Sequence, residues 1–127
     1  MKLNELKYKS RPSYITALGP YRDYIYNGYG FSFRVHIQEW AKTHTRLDCE
    51  LWKGEPSADP FDDNKISYFK ELSMSVEEVF KKIDAGEDED IPVICDMFSW
   101  LKNEAIPSMR DEFLKIAEDM RKVAKAL

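Results

Sequence analysis

Four side chains near the middle of the chain have the types for acid–base chemistry: Arg34, His36, Asp48 and Glu50, with His44 between the two pairs. A histidine held by a carboxylate is the working part of many general-base sites, because the carboxylate orients the ring and stabilises its charged form. An arginine beside it would grip an anionic substrate. The same residues also have a plainer use, since opposite charges facing each other across two strands are common on the wet side of a sheet and contribute ~0.2–1 kcal/mol per pair. The plainer use is the favoured expectation. No nucleophile accompanies the histidine: Ser32 lacks the Gly-x-Ser-x-Gly turn, and Cys49 and Cys95 fall on apolar positions where buried, reduced thiols are expected. The two histidines have no zinc-ligand spacing, the acidic stretches lack the order of a calcium loop, and no glycine-rich phosphate cradle occurs. No metal or cofactor is expected.

What must position these side chains is the segment Tyr29–Trp40. Its alternation puts Phe31, Phe33, Val35 and Ile37 on one face and Ser32, Arg34, His36 and Gln38 on the other, as in a half-buried strand. Asn27-Gly28 before it suits a two-residue hairpin turn, which would place Tyr26 opposite Tyr29, Tyr24 opposite Phe31 and Arg22 opposite Phe33. Arg46–Lys53 alternates again. Only pairings whose residue numbers add to an even total set Leu47, Cys49 and Leu51 beside Val35 and Ile37, because a one-residue slip would turn them to the other face. With a loop centred on Thr43, His36 pairs with Glu50, Gln38 with Asp48, and Arg34 with Trp52.

Around this hairpin, residues 1–12 read as a charged arm and Ser13–Leu18 as a short strand stopped by Gly19-Pro20. Residues 54–64 are a loop with Phe61 as its anchor, and Ile66–Leu72 is read as an edge strand, although Ile66 and Phe69 also fit helical spacing. Ser75 with Glu78 has the form of a capping box opening a helix that ends near Gly86. Pro92 suits the first turn of a second helix with a stripe from Ile91 to Ala105. Pro107 kinks or ends that helix. A third follows, in which Met109, Phe113, Ile116, Met120, Val123 and Leu127 recur at heptad-like intervals; packing on the sheet is expected, with a homodimer through residues 109–127 as the alternative. The expected architecture is one α+β domain over residues 1–127, mainly β over 13–72 and helical over 75–127. An antiparallel meander of four to five strands precedes three helices packing on one face.

Apolar residues make up 43% of the chain and aromatics 13%, enough for a single packed core and an aromatic-rich surface. No apolar run approaches a membrane span and the first residues lack a signal-peptide centre, so the cytoplasm is the expected compartment. Net charge is −4 but uneven: Lys2, Lys7, Lys9 and Arg11 against Glu5 give the first eleven residues +3, and residues 107–127 carry +1, leaving −8 for residues 12–106. Such a body opposes non-specific nucleic-acid binding and suits a basic protein partner. The expected function is an acidic binding module that occludes a partner, as small inhibitors, immunity proteins and phage antagonists of bacterial defence do. Its candidate contacts are Tyr21, Ile25, Trp52, Asp62, Asp63, Glu87, Asp88 and Glu89. The competing reading is a small enzyme using His36 with Glu50 or Asp48; a hollow around His36 would favour it, and a flat aromatic or acidic face would favour the module.

Overall fold

A computed structural model describes residues 1–11, 19–59 and 61–127. Five antiparallel strands form one sheet in the order of the chain: β1 Lys7–Arg11, β2 Tyr21–Asn27, β3 Phe31–Ala41, β4 His44–Lys53 and β5 Lys65–Leu72. The first of these replaces the expected arm. Lys7–Arg11 pairs with β2 along its whole length, and a 3-10 turn at Leu3–Glu5 seals Leu3 completely in the core. The strand expected over Ser13–Leu18 lies outside the described residues.

The hairpin between β2 and β3 turns four places away from the expected register. Its loop residues are Tyr29 and Gly30, not Asn27 and Gly28: the Gly28 N–H donates to the Phe31 carbonyl at 2.8 Å, and Gly30 takes φ +79°. Gly28 serves by being small, because a Cβ there would come within 2.6 Å of the Phe31 ring. Tyr24 therefore faces Val35 and Tyr26 faces Phe33. Two glycines one residue apart offered two turns, and only Gly30 takes the left-handed backbone that a side chain disfavours. An even displacement keeps every side chain on its expected face. The β3–β4 pairing shows the same pattern. It is even-totalled, as expected, but two places tighter, with Arg34 opposite Glu50, His36 opposite Asp48 and an irregularity between Glu39 and Ala41.

Inward residues of the strands, among them Tyr24, Phe33, Val35, Ile37, Leu47, Cys49 and Leu51, meet one apolar layer from the helices. Helix α1, Val76–Asp84, starts where Ser75 Oγ accepts the Glu78 N–H, and buries Val76, Val79 and Ile83. Helix α2, Pro92–Trp100, and helix α3, Ile106–Ala126, are joined through a π-helical turn at Leu101–Ala105 with right-handed helical backbone at both junctions. Two helical units, rather than three, thus follow the sheet. Pro107 has no N–H and would crowd the carbonyl four residues back; the wider turn just before it absorbs both faults without ending the helix.

Three expected burials fail. Phe61 is exposed at the loop surface and anchors nothing. Cys95 is exposed because it sits one place off the buried line of Ile91, Ile94 and Met97, while Cys49 is sealed and burial pushes its thiol up to about 12. The seam of α3 is buried only at Met109. Phe113, Ile116, Met120, Val123 and Leu127 stand 41% to 101% exposed, so the expected packing within the monomer does not occur. Near where this helix leaves the body, Glu112 pairs with Lys53 at 2.7 Å and Phe113 borders a cavity shared with Phe31 and Leu51.

Candidate functional site on the outer sheet face

The helices cover one side of the sheet. On the other side the strands set mostly polar residues in rows: Lys7, Lys9 and Arg11 on β1, Tyr21 and Asp23 with the apolar Ile25 on β2, Arg34, His36 and Gln38 on β3, and Arg46, Asp48 and Glu50 on β4. At the centre His36 Nδ1 lies 2.5 Å from Asp23 Oδ1 and its Nε2 lies 3.0 Å from Gln38 Oε1. Asp23 comes opposite His36 because of the four-place displacement of the hairpin, and reasoning from the Asn27-Gly28 turn missed it. The available signal was Gly30, which could have claimed the turn.

Burial lowers the pKa of the His36 imidazolium, but its contacts with Asp23 and Gln38 outweigh this and hold it above the ordinary histidine value. When the ring is protonated both nitrogens can donate, to Asp23 and to Gln38, and in that state it has no lone pair to act as a base. Burial likewise raises the Glu50 carboxyl, yet Arg34 at 2.5 Å and Lys65 at 3.2 Å pull it below the usual range. The Asp48 carboxyl is raised above the usual aspartate range, first by burial and then by Glu50. Tyr21, Asp23, Arg34, His36, Asp48 and Glu50 line a shallow hollow of about 400 Å³. The expected quartet is thus assembled, with Asp23 and not Glu50 or Asp48 as the partner of the histidine; His44 is apart from it and exposed, beside Thr43.

At one end of this face the ring of Trp40 carries the Arg46 guanidinium 3.0 Å above its centre, and Phe69 of β5 flanks the same cation at 5.6 Å. Trp40 is 59% and Phe69 47% exposed. Neither was singled out in the sequence, because a bulged Trp and an ambiguous strand hid their common face. Beside the hollow Tyr21 packs on His36 with ring centres 5.3 Å apart, under Arg11 at 4.8 Å.

The other expected contact residues scatter. Ile25 is half-buried on the outer face between Lys7 and Arg34. Trp52, expected to leave apolar surface there, is sealed at 1% exposure; its neighbour Ser32 ties the start of the following loop by donating to the Gly54 carbonyl at 2.6 Å. Asp62 folds back on the Asn64 N–H, and Asp63 is exposed. Glu87 and Glu89 are exposed, but Asp88 is buried, with Oδ2 accepting the Leu3 N–H at 2.8 Å, and is not available as a contact.

Among the described residues no cluster of His, Cys, Asp and Glu is arranged to hold a metal ion, and no helix is long and apolar enough to cross a membrane. No family model matches the chain, and neither a curated protein nor a solved structure is significantly similar to it.

Proposed function

We propose that this protein is a binding module that occupies a partner protein through the outer face of its sheet, with Trp40, Arg46 and Phe69 as the anchor. The observation that carries the reading is an arginine stacked on the half-exposed ring of Trp40, with half-exposed Phe69 beside it, on a face the helices leave open. Tryptophan, tyrosine and arginine dominate binding hot spots because they bring large contact area together with hydrogen-bonding or cationic reach. The ordered ion pairs at the centre of the face give a partner a fixed charge pattern to match, and the acidic body between the termini speeds association with a basic one. Inhibition by occlusion is the mode of action that needs no chemistry from this surface.

The experiment is capture from the native host with the full chain carrying a photo-crosslinking residue at Ser67, which pairs with Glu50 on the edge strand. Trp40→Ala and Phe69→Ala should each lower capture of the crosslinked protein at least tenfold while the fold is kept. Equal capture by both variants would overturn the reading.

A second reading rests on the hollow at His36. Its six lining residues and the raised Asp48 carboxyl would suit a small polar ligand or an acid–base step in which Gln38 releases Nε2. Turnover lost in His36→Gln but kept in Trp40→Ala would favour it.

A further inference from the structure

We propose that residues 113–127 of α3 pair antiparallel with the same segment of a second copy of this chain. Apart from Phe113, which borders a cavity shared with Phe31 and Leu51, the segment is an amphipathic helix standing clear of the sheet: Ile116, Met120, Val123 and Leu127 are exposed, and so are the polar residues between them. A helix of this length is marginal in water without packing. Its apolar line calls for a cover, and three features make another copy the fitting one.

First, the seam reads alike in both directions. Intervals of 4, 3, 4, 3 and 4 from Met109 to Leu127 are symmetric about Glu118, so reversal sets Phe113 against Val123 and Ile116 against Met120, and carries Leu127 to the surface over the buried Met109. Each large side chain then meets a smaller or flexible one, as interdigitating helices require. Second, charge chooses the direction. Asp111, Glu112, Glu118 and Asp119 outweigh Arg110 and Lys115 in the first half, whereas Arg121, Lys122 and Lys125 are unopposed in the second. Antiparallel copies place the acidic half of each beside the basic half of the other; parallel copies place like beside like. Ala117 and Ala124 border the seam on one side and let the backbones approach. Asp119 of each copy comes near the other at the axis, in water at the rim of the seam, where repulsion is small.

The third feature is where the pairing ends. The register that joins Ile116 to Met120 brings Leu127 of the second copy to Met109, beside an apolar cavity of about 170 Å³ lined by Phe31, Leu51, Ile106, Met109 and Phe113. Leu127, fully exposed in a single copy, thereby reaches apolar surface.

The test uses the full chain in sedimentation equilibrium over a wide concentration range. A monomer–dimer equilibrium is expected, with Ile116→Glu weakening it at least about a hundredfold, since two buried isoleucines are lost per dimer. Circular dichroism should show the variant folded, because Ile116 lies outside the core. Orientation is read by oxidation in a Cys95→Ser background. Ala117→Cys should crosslink across the axis and Val123→Cys should not; the reverse result would mean a parallel pair and overturn the proposal. A monomer at every concentration would overturn it too. So would a monomer that binds anionic vesicles through this helix, since the face would then belong to a membrane.

Discussion

Residues 92–109 and 113–127 belong to one helical rod with one apolar rhythm, yet only the first stretch has something to lie on. Ile94, Met97, Leu101, Ala105 and Met109 are at most 4% exposed, sealed against the inner side of the sheet; beyond Phe113, which borders a cavity with Phe31 and Leu51, the same side of the rod stands in water. The difference teaches that periodicity names the side of a helix that wants cover, whereas the extent of the sheet decides whether the domain provides it. The two sheet faces repeat the lesson. The inner one is closed by the chain itself, and the outer one carries paired charges and an aromatic anchor that the helices leave uncovered.

The sharpest way to break the contrast is to truncate one methionine in each stretch. Met97→Ala should cost ~2–5 kcal/mol, the usual loss for emptying a sealed site, while Met120→Ala should change the stability of the dilute protein by no more than about 0.5 kcal/mol. Denaturant unfolding measures both, and equal losses would mean the end of the rod packs after all. A smaller effect is expected just before the rod begins. Asp88→Ala leaves the buried Leu3 N–H without its acceptor and should cost ~1–3 kcal/mol, whereas Glu89→Ala, which gives up only an exposed pairing with Lys2 at 3.8 Å, should be nearly silent.

The smallest effect lies on the open face and appears as a pH dependence. Because the folded pKa of His36 is raised above the ordinary 6.5, its pairing with Asp23 stabilises the fold fully below pH 6.5, and that contribution is lost as pH rises through the folded value. Asp48, raised in the same sense, gives up its own contribution at lower pH, through the carboxylate range. An NMR titration should find His36 above 6.5 in the native protein and lower in Asp23→Asn. A pKa unmoved by that substitution would show that Asp23 is not what holds the proton.

Much of the site was legible because a strand has a side-chain period of two. Alternation alone assigns Arg34, His36, Asp48 and Glu50 to one face whatever the register, as long as the displacement is even. What alternation leaves open is which of them touch. That choice fell to the turns: Tyr29-Gly30, used in place of Asn27-Gly28, delivered Asp23 to His36, and the tighter connection between β3 and β4 delivered Glu50 to Arg34. Asp88 was misplaced for a related reason. A run of four acidic residues looks uniformly solvated in sequence, and only the docking of the first residues across it singles out one carboxylate for burial.

The local signals of the chain, taken alone, determined the α+β class, the meander of the central antiparallel strands, the Ser75 cap of α1 and the apolar sides of β3, β4 and α1. They are short-range effects of backbone geometry and side-chain period, complete within a few residues. Tertiary structure decided the rest: the edge strand made from the charged first residues, the exposure of Cys95, the passage of the helix through Pro107, and the bare seam of α3. Each depends on what lies opposite a segment and how far it extends, and amphipathic spacing carries no information on either.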